Sequence, residues 1–213
     1  MKMLHRSLVL AILAIAPAVT SASAQTTAAS TFGPGDSHSI TNGFLVGDNG
    51  FTSQSVAEGF LYGGPDGYFL SQVRLAFDNL EATYTVSFLT GADMNTATVL
   101  ESWSTTVYSG GIVALSSVLN PALSNGTTYW LAASSTGWGG WFENNQGFDG
   151  AMYKLDGAAW VDCPSCASAA YDVTVSSTGV VASPEPASMT LLATGLLGVL
   201  GVARRRRKSF VET

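Results

Sequence analysis

Ala187 to Ala203 is an unbroken run of about 17 residues without a charge, and it stops at Arg204-Arg205-Arg206-Arg207-Lys208. As a helix it would be roughly 25 Å long at 1.5 Å per residue, sufficient to cross a bilayer with modest thinning. Five consecutive cations favour the cytoplasmic side and so put residues 25–186 outside. The alternative, a buried core helix, would have to end an all-apolar surface in five like charges.

The other end carries a matching signal. Lys2 and Arg6 form a positive start, Leu8 to Val19 an apolar stretch broken at Pro17, and Ala22-Ser23-Ala24 a small-residue cleavage site. This is the pattern of a secretory signal peptide over residues 1–24, handed to the Sec export machinery and removed by signal peptidase to leave Gln25 first. With both ends set aside, roughly 150 residues remain, enough for one soluble domain.

Just before the C-terminal apolar run stands Ser183-Pro184-Glu185-Pro186-Ala187-Ser188. A Pro-Glu-Pro motif, an apolar helix and an arginine run, in that order at the C-terminus, resemble the PEP-CTERM sorting signal. The resemblance covers about 30 residues and implies processing by an exosortase, a membrane cysteine protease that removes the helix and passes the protein to the envelope or exopolysaccharide. It also implies that Pro184, Glu185 and Pro186 are the recognition motif. Two prolines around Glu185 hold the backbone extended and short of donors, a shape suited to a protease groove just outside the membrane. The plainer reading is a stiff spacer, residues 179–186, before a permanent anchor at 187–203 and a cytoplasmic basic tail at 204–213.

Between the ends the charge is one-sided. Residues 25–183 contain 13 Asp and Glu against Arg74 and Lys154, so 2 minus 13 gives −11. Such a surface repels phosphate backbones and argues against nucleic acid as a partner. After a Thr/Ala/Ser lead-in without periodicity, expected to be flexible over 25–36, short segments alternate apolar and polar residues between Gly, Asn and Asp clusters. In the clearest, Phe69, Val73, Leu75 and Phe77 share one face while Gln72 and Arg74 point away; Tyr84, Val86 and Phe88 repeat the pattern. Further candidate strands are 40–46, 56–62, 99–107, 112–118, 127–133, 140–143, 151–155 and 171–175. No stretch sustains helical spacing, so the expected fold over 37–178 is all-β: an antiparallel β-sandwich, jelly-roll-like or immunoglobulin-like, flanked by a signal helix and a transmembrane helix.

Two segments of this region, Ser55-Val56-Ala57-Glu58-Gly59-Phe60 and Leu123-Ser124-Asn125-Gly126-Thr127-Thr128-Tyr129-Trp130-Leu131-Ala132, resemble the choice-of-anchor β-sandwich domains of bacterial surface proteins. The resemblance implies a strand ending in Phe and a later strand carrying Thr-Tyr-Trp-Leu after a turn. Glu58 departs from it, standing where a neutral polar residue is more usual. No catalytic residues come with it.

Few residues invite chemistry. Cys163-Pro164-Ser165-Cys166 fits a redox dithiol, half a zinc site or a local disulfide. No helix N-terminus lowers a thiol pKa there, and His38 is the sole histidine after the signal peptide, so a disulfide closing the loop is expected and no metal or cofactor. Scarcity of histidine also disfavours hydrolytic triads. Carboxylate pairs among Glu101, Glu143, Asp149 and Asp156 remain an alternative without a distinguishing spacing. Gly47-Asp48-Asn49-Gly50 and Gly147-Phe148-Asp149-Gly150 offer oxygens for calcium but read first as turns. In Trp138-Gly139-Gly140-Trp141-Phe142, the side chains of Trp138, Trp141 and Phe142 are a candidate stacking platform for sugars, against the ordinary fate of large aromatics in a core. The sequence thus points to a non-enzymatic, exosortase-sorted protein of the cell envelope or extracellular matrix, initially anchored in the inner membrane. The alternative is a secreted carbohydrate-binding module acting on exopolysaccharide.

Overall fold

The computed structural model describes residues 25–78 and 81–177. The expected signal peptide, the Pro184-Glu185-Pro186 motif, the apolar helix 187–203 and the cations Arg204 to Lys208 all lie outside the described residues. Among the described residues the chain is antiparallel strand throughout, with one 3₁₀ turn at Pro34–Asp36, and no helix is long and apolar enough to cross a membrane. The strands are β1 (Gln25–Ser30), β2 (Gly43–Asp48), β3 (Ser53–Leu61), β4 (Tyr68–Phe77), β5 (Ala82–Thr90), β6 (Thr98–Val107) and β7 (Gly111–Ser116). They continue with β8 (Ala122–Leu123), β9 (Thr128–Ser135), β10 (Gly139–Phe142), β11 (Asp149–Leu155), β12 (Val161–Ala167) and β13 (Tyr171–Ser176).

The first sheet is organised around β4. One of its edges pairs with β13, which carries β1 outside it, and beyond Leu75 with β10; the other edge pairs with β7 and β8. The second sheet runs β12-β11-β3-β9-β5-β6. Strand β2 belongs to both, pairing with β10 through Val46 and with β3 from Gly47 onward. Gly47 permits that transfer: its φ of 112° is closed to side chains, and a Cβ there would collide with the carbonyl of Gly137.

Alternation explains how the sheets meet. Val73, Leu75 and Phe77 of β4 and Val173 and Val175 of β13 face inward from the first sheet, Val56 and Phe60 of β3 and Val86 and Phe88 of β5 from the second. Rings cross the interface: Phe77 stacks on Tyr84 at 4.0 Å, and Phe60 lies 6.4 Å from Tyr171. This is sandwich-like packing of two inner faces. The segments resembling choice-of-anchor domains fall on directly paired strands, Gly59 opposite Trp130 and Phe60 opposite Tyr129.

Three expectations need correction. Residues 25–30 are not a flexible lead-in: they form β1, in register with β13 from Gln25–Ser176 to Ser30–Asp172. Gln25 Nε2 also donates to the buried Ser71 Oγ at 2.6 Å. Secondly, Leu70 rather than Phe69 joins the core. The β4–β13 register slips by one at Ser71, which reverses the phase of β4 at that point. Thirdly, the cysteines do not close a loop. Cys163 and Cys166 are joined by a disulfide within β12, where the partner register skips from Ala151–Cys163 to Asp149–Ala167. The bridge clamps the surplus residues of a bulge.

Trp141 and Glu58 are two of the bulky interior groups with polar atoms to satisfy. Trp141 is 0% exposed and donates its indole N–H to the carbonyl of Ala170 at 2.9 Å. Glu58, 1% exposed, accepts the backbone N–H of Ala169 at 2.6 Å and a hydrogen bond from Ser168. Burial outweighs both bonds and pushes its carboxyl from 4.5 up to about 8. Below pH 4.5 both folded and unfolded chains hold this proton; between 4.5 and 8 only the folded chain does; above 8 neither does. Stability should therefore fall with rising pH across that window, by up to about 1.4 kcal/mol per pH unit. In denaturant titrations Glu58→Gln should flatten this slope; an unchanged slope would mean that Glu58 is ionised in the fold. Trp141→Ala should lower unfolding free energy by about 3–5 kcal/mol, the cost of emptying a large aromatic site, whereas a loss under about 1 kcal/mol would show that the ring is not the core element described.

Candidate functional site

Strand β10 is short and glycine-rich because it must fit between β2 and the end of β4. Trp141 turns inward and Phe142 outward, and Trp138 stands in the turn before the strand, 50% exposed. Trp138 and Phe142 line one surface groove of about 240 Å³ with Thr41, Phe44 and Asp78. Trp141 is behind it in the core. The three-residue platform foreseen from the sequence is thus a two-residue one, corrected by the alternation of the strand itself.

The buried Tyr84 braces the groove from the core side. The Tyr84 hydroxyl accepts the N–H of Gly140 at 2.9 Å and lies 3.4 Å from Asp78 Oδ1, to which it donates. Burial, first, and the nearby Asp78 charge raise the Tyr84 pKa, keeping it a neutral donor. Gly140 leaves room for Asp78, whose Oδ2 would sit 2.6 Å from a Cβ there and would have to shift. An indole face, a phenyl ring and a carboxylate around a space of this size can stack on one ring-shaped polar ligand and accept hydrogen bonds from it. Asp78, Thr41 and Phe44 were not foreseen. They come from separate segments, and only the pairing of β10 with both β2 and β4 brings them to Trp138.

Other candidates are occupied by structural tasks. His38 Nδ1 lies 3.1 Å from the carbonyl of Asp36, and its ring packs between Phe32 and Phe142. Arg74 pairs with Asp36 at 2.8 Å and with Asp172 at 3.3 Å. Glu101 is buried and accepts hydrogen bonds from Ser117 Oγ, Val118 N and Leu119 N at 2.5, 2.6 and 3.2 Å. Asp156 accepts the N–H of Ser53 at 2.7 Å. Glu101 on β6 and Asp156 after β11 are separated by β3, β9 and β5, roughly 19 Å at 4.8 Å per strand, too far for a shared glycosidic bond. Asp48 and Asn49 spend their side chains on the N–H groups of Gly50, Phe51 and Thr52, and Asn144 does the same for Gln146 and Phe148. Gly47 and Asp48 end β2 before its turn into β3, and Asp149 and Gly150 begin β11 after the bend that Asn144 caps. Among the described residues no three His, Cys, Asp or Glu are grouped to hold a metal ion.

Among curated proteins none is similar in sequence to the chain. Two solved structures are similar in fold. One is the clostridial cysteine protease Cwp84 after propeptide cleavage, with a TM-score of 0.51 and 12% identity over 65% of this chain and 38% of that one. The other comprises the cysteine protease and lectin-like domains of Cwp84, a surface layer associated protein of Clostridium difficile, with a TM-score of 0.48 and 13% identity over 59% and 32%. The chain therefore spans 38% of the length of the first and 32% of the second. Residues 184–208 match the PEP-CTERM protein-sorting motif, the motif associated with exosortase processing and with export to the cell envelope.

Proposed function

We propose that the protein is delivered across the inner membrane, cut by an exosortase near Pro184-Glu185-Pro186, and released to the envelope or extracellular matrix as a non-catalytic choice-of-anchor β-sandwich. The match over residues 184–208 carries this reading. The described fold supports it, because Gln25 and Ser176 are opposed at one end of the first sheet. Loss of residues 1–24 and of everything after the motif would leave a closed unit with adjoining ends. Intact-mass measurement on protein from native cells should find both ends missing, with a new C-terminus near Pro186. A mature chain ending at Thr213 would instead establish a permanent anchor and overturn the sorting step.

A carbohydrate-binding reading is favoured by one observation, the exposed Trp138 beside Asp78 and Phe142 in a groove of ring size. Trp141→Ala cannot test it, since that change empties the core. On glycan arrays, Trp138→Ala should remove at least tenfold of the affinity for any glycan bound there while leaving the melting temperature within a few degrees. Equal binding by the variant would reject the groove.

A further inference from the structure

A second cavity, of about 260 Å³, opens on the outer face of the second sheet and shares no lining residue with the Trp138 groove. Ala132 and Ser87 line it opposite one another, in a rung that runs Met152, Ala57, Ala132, Ser87 and Ser102 across five strands, and Leu89 and Met94 add an apolar part to the lining. The neighbouring rung sets Lys154 against Ser55 and Ser134 against Thr85. Apart from Met152 and Lys154, both on β11, the side chains on these positions are short, so a ligand can approach the sheet closely over β3, β9 and β5. The hydroxyls of Ser55, Thr85 and Ser134 make no hydrogen bond among the described residues, so their donors and acceptors are unspent. Ser102 donates to the carbonyl of Val86 at 3.2 Å and so accepts from Ser87, 3.1 Å away, leaving the Ser87 oxygen as an acceptor.

The wall is aromatic and is held in place. Trp160 follows the turn after β11, and its backbone exchanges two hydrogen bonds with Asn95 between β5 and β6: Trp160 N to Asn95 Oδ1 at 2.7 Å, and Asn95 Nδ2 to Trp160 O at 3.3 Å. The Lys154 ammonium lies over the indole, 5.1 Å from its centroid.

Charge decides the ligand. Lys154 is one of two cations in residues 25–183, and the other, Arg74, is spent on Asp36 and Asp172. Lys154 makes no ion pair among the described residues, and no carboxylate lines this cavity. In a domain with 13 acidic residues, that is an uncompensated positive point beside hydroxyls and an indole face. The domain's net negative field is screened within about 8 Å at physiological salt, so the local charge governs what is selected at contact. We propose that this trough binds a carboxylated glycan, with one uronate unit stacked against Trp160, its carboxylate on Lys154 and its hydroxyls on the Ser/Thr floor.

Affinity electrophoresis of the exported protein in gels containing polygalacturonate or neutral dextran tests this. Retardation by polygalacturonate alone is expected, weakened at least tenfold by Lys154→Gln, retained by Lys154→Arg, reduced by Thr85→Val and unchanged by Trp138→Ala. Far-ultraviolet spectra and melting temperatures confirm that each variant is folded. Absence of retardation, equal retardation by dextran, or full retention in Lys154→Gln would overturn the proposal. Retardation by dextran that Trp138→Ala abolishes would overturn it while supporting the other groove.

Discussion

The contact on which the rest of this domain depends is the meeting of aromatic rings between the two sheets. Phe77 of the first sheet stacks on Tyr84 of the second at 4.0 Å, and Tyr171 of the first lies 6.4 Å from Phe60 of the second, which is itself backed within its sheet by Tyr129 and Phe88. Each ring excludes far more water per ordered residue than the Ala, Ser and Thr that dominate the outer faces. A sheet whose outside is so polar and small-chained has one apolar face, and its only stable arrangement is that face against another. Gly47 then lets a single strand serve both sheets, which ties their relative placement to backbone pairing as well as to packing.

Within that interior the buried carboxyls are treated in opposite ways. Glu101 sits on the edge strand β6, points inward and receives three hydrogen bonds from the segment after β7, so its charge is satisfied where it is buried. Glu58 lies on β3, flanked on both sides by other strands, and holds its proton instead. The edges follow a similar logic. An inward carboxylate on β6, and Pro164 with a disulfide-clamped bulge in β12, both discourage another chain from pairing there.

The legible part of the fold was the part that buries one face. Strands β3 to β7, β9, β11 and β13 alternate because their inner residues must be apolar, and the sequence shows that period directly. Strands β1 and β12 expose nearly everything. Their residues, Gln-Thr-Thr-Ala-Ala-Ser and Val-Asp-Cys-Pro-Ser-Cys-Ala, carry no pattern, since pattern is the imprint of one-sided burial. The phase of β4 was hidden for another reason, a bulge at Ser71 that only its partner strand reveals. The opposite fates of Trp141 and Phe142 were available in principle. Residues 141 and 142 are adjacent, so a strand through them must send one ring in and the other out. Asp78 and the Lys154 trough were not available, because both are assembled by strand order.

That order also fixes which way the domain presents its surfaces. Gln25 and Ser176 pair beside Phe69, near the start of β4, while β10 pairs with Phe77 at its far end. Eight residues of extended chain separate them, roughly 26 Å at 3.3 Å per residue. The start of β3 adjoins the end of β2, which adjoins the start of β10, so Lys154 and Trp138 both belong to the end remote from the paired termini. Both candidate surfaces therefore lie at the end of the domain opposite the Gln25–Ser176 pair.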